Sequence, residues 1–313
     1  MIKMFWVVFI GALVLVLLVI PGAIIWRRAM KIPLDTDRRR FLKKAAAYPV
    51  GLVAAGTYGS QYERCHTVDN RYTIKAGAGG FPAGFRLAQI SDVHLGRFFD
   101  NEDLRQLLAR IAADGPDMLV ITGDLFDDER LNPGAARVLE DFVDAFPDGI
   151  WFCLGNHEHF RGVEKIQADL AKTRVHALYN KAVKVPGRDF WLAGVDYPML
   201  REEKKFQQLK AKFTENALAD IPAEERPRTI LLAHHPEFID DAAAAGVLLT
   251  LTGHTHGCQF GVLGLPLFPV FKYNRGLVEK GASYGYVHSG NGSWFPCRIG
   301  CPPEIAYFTV QIK

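Results

Sequence analysis

Five short apolar runs, each breaking off into a cluster of metal-capable side chains, constrain this chain more than any other feature. Residues 85–90 lead into Ser91-Asp92-Val93-His94, and 118–122 into Gly123-Asp124-Leu125-Phe126-Asp127. Residues 150–154 lead into Gly155-Asn156-His157-Glu158, 229–233 stop at His234, and 247–252 stop at Gly253-His254-Thr255-His256. Runs of this length read as buried strands, as does a further run at 190–195. Helical stretches at 101–113, 134–146, 161–173 and 202–218 alternate with them, which predicts α/β architecture. Ligands in such sheets bind beyond the carboxyl ends of the strands, so the five clusters should converge on one site.

The donor types define the chemistry. Carboxylate and amide oxygens with imidazole nitrogens suit Mn, Fe, Zn or Mg, and the absence of thiolates argues against a structural zinc site. Two divalent ions about 3.5–4 Å apart can clamp a phosphoryl group and activate a bridging hydroxide. Each cluster alone carries little: Asp92 could cap a helix and Asn156 could serve a turn. Five of them, each after a buried strand, point to a dinuclear site.

The ordered series DVH, GDLFD, GNHE, AHH and GHTH resembles the calcineurin-like metallophosphoesterase superfamily over residues 85–256. The tail (253–259, 273–276, 296–304) is similar to a bacterial branch holding membrane-attached UDP-2,3-diacylglucosamine diphosphatases and twin-arginine-exported phosphoesterases. The resemblance implies a four-layer αββα sandwich. It implies that Asp92, His94 and His256 hold one metal and Asn156, His234 and His254 the other, with Asp124 bridging them. It implies that His157 acts on the phosphoryl group as proton donor or charge stabiliser, oriented by Asp127. Where the branch reads GHTHGG, this chain has Gly257-Cys258-Gln259; Cys258 is expected to pack beneath the site, the alternative being a thiol that makes the enzyme sensitive to thiol reagents. His235 is not expected to ligate, because neighbours at a strand end point to opposite sides. His159 could help bind substrate but reads first as a solvated loop residue, and His66, His176 and His288 have no motif context. A non-catalytic scaffold of the same fold would show gaps among the ligand positions, and there are none.

Residues 4–26 carry no charge and are long enough for a transmembrane helix. The basic flank that follows places 27–44 in the cytoplasm. Within it, Asp37-Arg38-Arg39-Arg40-Phe41-Leu42-Lys43 resembles a twin-arginine export signal, followed by an uncharged run at 45–62. Pro49 and three glycines make that run a poor helix. Export would place the catalytic domain outside the cytoplasm; a basic segment lying on anionic lipid is the alternative. The expected organisation is therefore an anchor and signal region over 1–62, a linker or edge strand over 63–84, and a catalytic domain over 85–313.

Charge separates along the chain. Residues 1–84 hold 12 Lys/Arg against 4 Asp/Glu, whereas the remainder holds 25 against 30. A nucleic-acid enzyme would show a basic catalytic part, so no nucleic-acid partner is expected. The apolar, proline-bearing stretch 264–271 could admit an acyl chain, touch the bilayer or pack as core. Asn291 and Arg298 are candidate phosphate or headgroup contacts. The expected substrate is a membrane-associated phosphodiester or pyrophosphate; a UDP-linked one would be cytoplasmic, so export favours a cell-envelope phosphoester. A broad-specificity phosphodiesterase acting on soluble esters is the alternative. Cys297 and Cys301 are close enough to pair in an oxidising compartment, or remain two thiols.

Overall fold

A computed structural model describes residues 36–77, 81, 84–262, 265–293 and 295–312, with isolated positions 21, 22, 24 and 28. The expected transmembrane segment 4–26 lies outside the described residues apart from three of those positions. Two compact units divide the chain, 1–62 and 63–313. In the first, helix α1 (Thr36–Thr57) runs through Pro49. Its five alanines favour helix strongly enough to carry it past the proline and glycines that suggested otherwise. Among the described residues no helix is long and apolar enough to cross a membrane.

The second unit alternates strands and helices. It begins with β1 (Val68–Ala76), β2 (Arg86–Ile90), α2 (Asn101–Asp114), β3 (Met118–Thr122), α3 (Asn132–Phe142) and β4 (Ile150–Cys153). Next come α4 (Asn156–Phe160), α5 (Val163–Leu170), β5 (His176–Ala177), β6 (Lys181–Lys184), β7 (Trp191–Gly194) and α6 (Glu203–Leu218). Then follow β8 (Thr229–Leu232), α7 (Phe238–Ala244), β9 (Leu249–Thr252) and the short hairpin β10 (Gly261–Val262) and β11 (Leu265–Pro266). The unit closes with β12 (Gly276–Lys280), β13 (Ser283–Val287) and β14 (Glu304–Ile312).

Two six-stranded mixed sheets result, ordered β1-β14-β2-β3-β4-β5 and β12-β13-β9-β8-β7-β6. Strands β2 to β5 run parallel, as do β7, β8, β9 and β13. The 63–84 stretch is no simple linker, because β1 forms the sheet edge in parallel with β14.

Alternating side chains sort into three cores. From β3 and β4, Leu119, Ile121, Ile150 and Phe152 pack against Leu104, Leu108 and Ile111 of α2 and Leu139 of α3. Their neighbours Met118, Val120 and Trp151 face inward with Ile230, Leu232, Leu249 and Leu251 of the other sheet. Leu231 and Ala193 turn outward to Leu218 of α6 and Phe238 of α7. The period of two along each strand therefore fills a middle core between the sheets and an outer core under each helical layer. The order is helix, sheet, sheet, helix, and the parallel strands of both sheets deliver their carboxyl ends to one edge.

Candidate metal centre

The polar clusters meet at that edge. Asp92, His94 and His256 bring donor atoms within 4.8 Å of one another, and so do Asp124, His234 and His254. Asp124 ties the groups together: its Oδ2 lies 3.1 Å from His234 Nε2 and 3.7 Å from His94 Nε2. Asp92 also faces both, with Oδ1 3.5 Å from His256 Nε2 and 3.9 Å from His234 Nε2. Asn156 sits between two residues that touch Asp124: His157 N donates to Asp124 Oδ1 (2.8 Å), and Gly155 packs on the same carboxylate.

The backbone is bent to make this possible. Asp92, His94, Asp124, His254 and His256 all adopt positive φ, between 49° and 74°, a region that non-glycine residues seldom occupy. Such conformations cost of order 1–3 kcal/mol each and gather where function requires them. Close approach fixes the neighbouring glycines. A Cβ on Gly155 would strike the Asp124 carboxylate, and one on Gly253 would strike Ser91 and Asp92.

The donor set fits divalent cations. Two buried atoms here, Asn156 Oδ1 and His234 Nε2, have no hydrogen-bond partner. His234 Nδ1 donates to Thr122 O at 2.7 Å, which leaves Nε2 to present a lone pair toward Asp124. Burial opposes charge on Asp124, but His234, His94 and His157 outweigh it and hold its carboxyl far below the usual range. Burial also opposes charge on His234, yet Asp124 and Asp92 push it up to about 10. Two buried carboxylates thus draw a positive charge to this spot, and a proton on His234 or a divalent cation can supply it. His254 and His256 are held neutral by burial, helped by the positive charge of His234 near His254 and of Arg298 near His256, so their lone pairs are available.

Beside the donors, His157 Nδ1 donates to Asp127 Oδ1 at 2.8 Å. Burial lowers the imidazole's proton affinity, but the Asp127 bond and the charge of Asp124 raise it above its ordinary value. Asp127 does more than was expected. Its Oδ2 is 3.2 Å from His94 Nδ1, so it orients His94 as well, and Arg161 Nε donates to its Oδ1 at 2.8 Å. His94 in turn sets Nε2 2.9 Å from His256 Nε2.

Two substrate-contact expectations are overturned. Asn291 is 3% exposed and Arg298 fully buried. Asn291 accepts from Ser91 N and donates to Glu304 O. Arg298 donates to Ser293 Oγ and to the carbonyls of Gly292 and Cys301, with Nη2 3.4 Å from His256 Nδ1. Their polar atoms are committed to the framework under Asp92 and His256, with none left to face solvent. Cys258, half-buried, donates to Asn274 Oδ1, and all five cysteines are free thiols; Cys301 lies buried under Gly257. His235 packs among the rings of Phe206, Phe271 and Tyr197 and is held neutral, down to about 3, by burial and the charge of His234.

Sequence reasoning missed three supports. Glu158 is fully buried and accepts from Asp124 N, Leu125 N, Phe126 N and Gly155 N at 2.8–3.0 Å, locking the turn that carries Asp124. Its signal was present: an acid three residues after Gly155 can supply the glutamate half of a capping box, accepting from Gly155 N. His159 is not simply solvated, because its Nε2 lies 2.7 Å from Asp196 Oδ1, which also accepts from Tyr197 N. The Tyr197 hydroxyl reaches 3.4 Å from His254 Nε2. Nothing in the linear pattern of 195–200 announces that contact.

The sequence model of the calcineurin-like phosphoesterases matches residues 85–258, more than half of the chain. The chain belongs to that family. It is 30% identical over 298 residues to the metallophosphoesterase YkuE of Bacillus subtilis, covering 88% of this chain and 98% of that protein. It is 29% identical to phosphodiesterase YaeI of Escherichia coli, covering 71% and 81%. A transmembrane protein with a metallophosphoesterase domain from Danio rerio is 32% identical over 73% of this chain, which spans 53% of that longer protein. Among solved structures, a dimetal phosphatase from Danio rerio aligns at 14% identity over 67% of this chain and 88% of its own, with a TM-score of 0.39.

Proposed function

We propose that this calcineurin-like phosphoesterase hydrolyses a phosphodiester or pyrophosphate at a dinuclear centre. The observation that carries the proposal is the contact of the two donor groups through Asp124, with the His157–Asp127 pair alongside. Asp92, His94 and His256 would hold one ion, and Asn156, His234 and His254 the other, with Asp124 shared. The hard and borderline donors suit Mn, with Fe, Zn or Mg as substitutes. Two bound cations supply positive charge for the phosphoryl oxygens and an acidified water. The protein's own groups do the rest. Asp127 keeps the His157 imidazole protonated and aimed, and His157 passes that proton to the departing oxygen. Water adds to phosphorus as the ester P–O bond breaks, the alcohol leaves neutral, and the proton shed by the water passes to solvent, from which His157 is reprotonated. Glu158 holds Asp124 in its strained turn throughout.

The direct test is hydrolysis of bis-p-nitrophenyl phosphate by the full chain supplied with Mn. Turnover that a chelator abolishes and Mn restores is expected; metal-replete protein inert on every phosphoester tried would overturn the reading and favour a binding scaffold.

The basic, uncharged-flanked N-terminal region supports a membrane setting, as does the transmembrane relative's printed name. We place the catalytic unit on the extracytoplasmic side of the inner membrane, acting on a cell-envelope phosphoester, because Arg38-Arg39-Arg40-Phe41-Leu42-Lys43 matches an export signal. A C-terminal alkaline phosphatase fusion should then be active. An inactive phosphatase fusion beside a fluorescent green fluorescent protein fusion would reverse the topology.

A further inference from the structure

Exposed apolar side chains are not scattered over the unit 63–313. Among its described residues, every exposed large hydrophobic side chain except Phe295 and Ile312 lies on a segment leaving the metal centre. Phe160 ends α4, 59% exposed, with its ring 5.6 Å from that of His157. Met199 and Leu200 follow Tyr197, the residue that touches His254. The longest stretch is the β10–β11 hairpin and its continuation, where Leu265, Phe268 and Val270 are 72%, 66% and 80% exposed.

The hairpin is bolted to the centre at its root. Thr255 Oγ1 donates to Asn274 O at 2.5 Å, Cys258 Sγ donates to Asn274 Oδ1 at 3.3 Å, and the Phe271 ring lies 5.2 Å from that of His254. An apolar collar therefore stands beside a site whose donors are carboxylates, imidazoles and an amide. Side chains this exposed contribute little to the fold, and concentrations of them mark binding surfaces. A sugar or nucleotide leaving group would leave the collar wet, whereas hydrocarbon beside a phosphate would cover it.

We infer that the collar takes the hydrocarbon chain of an amphiphilic phosphoester whose phosphate enters the metal centre. This rests on the phosphoesterase reading above and names its substrate class. Buried methylenes each favour binding by up to about fourfold, so the chain should register in kcat/KM.

The test uses the full, Mn-loaded chain at one fixed detergent concentration and a series of p-nitrophenyl alkyl phosphates, methyl, butyl and octyl. Each turnover adds one water and releases p-nitrophenol and the alkyl phosphate. The octyl ester should exceed the methyl ester in kcat/KM by at least about tenfold, and Phe268→Ser/Val270→Ser should bring that ratio below about threefold. Val270→Ser alone, at the most exposed position, serves if the double variant does not fold. A ratio near one in the native chain, or a ratio unchanged in the variant, would overturn the inference. An equal loss on both esters would also overturn it, marking the hairpin as mere support. A rate that responds to added phosphatidylglycerol vesicles but not to chain length would assign the collar to the bilayer instead. Failure to cleave either ester while bis-p-nitrophenyl phosphate is turned over would overturn this inference alone; inertness on all three would remove the phosphoesterase reading with it.

Discussion

Asp124→Asn is expected to empty both metal positions and to lower kcat/KM by a factor on the order of 10³. Asp124 faces a histidine of each donor group, His234 at 3.1 Å and His94 at 3.7 Å. An amide in its place keeps one oxygen, which His157 N already occupies, and turns a neutral NH2 or a weaker oxygen toward the ions. It also removes one of the two buried negative charges that make a divalent cation welcome there. The backbone should be spared, because asparagine tolerates the left-handed conformation that Asp124 adopts at φ 52°. Elemental analysis beside far-UV circular dichroism checks the outcome. Native-like dichroism with unchanged metal content would remove Asp124 from the shared position and the dinuclear reading with it.

Much of this site was legible because its residues follow strands in a fixed order. The expected strand over 118–122 coincides with β3, and those at 150–154 and 229–233 overrun β4 and β8 by one residue. Helix 101–113 is one residue short of α2, whose end is set by Gly115 in the left-handed region. A polar cluster at the end of each parallel strand then has only one place to go. The parts that were illegible depend on partners far along the chain. Arg298 and Asn291 looked like phosphate contacts because their residue types suit anions, but burial decides their role, and burial comes from the return of β14 beside β2. Strand β14 itself was not anticipated, although all nine of its residues pair with β1 and four of them with β2. Asp127 serving both His94 and His157 is likewise a three-dimensional fact. One of its partners lies 33 residues before it and the other 30 after.

That double duty determines how the proton donor must be probed. An Asp127 variant would disturb His94, a proposed ligand, together with His157, so its effect could not be divided between binding and chemistry. His157→Ala is the cleaner change. His157 approaches the donor groups only through its backbone N–H on Asp124 and its ring against His94, and alanine keeps the first of these. Both metals should therefore remain, while turnover falls by roughly 10²–10⁴ for an ester whose alkoxide needs a proton to leave. For a p-nitrophenolate leaving group, which departs as the anion, the loss should be far smaller. The pH profile supplies a second readout. The donor must be protonated, and Asp127 raises the His157 proton affinity above the ordinary histidine value. Activity on the alkyl leaving group should thus persist through neutral pH and fall as pH climbs past that raised value, and His157→Ala should lack this alkaline decline. Loss of metal in the variant, or equal loss on both leaving groups with the decline intact, would show that His157 supports the centre rather than delivering the proton.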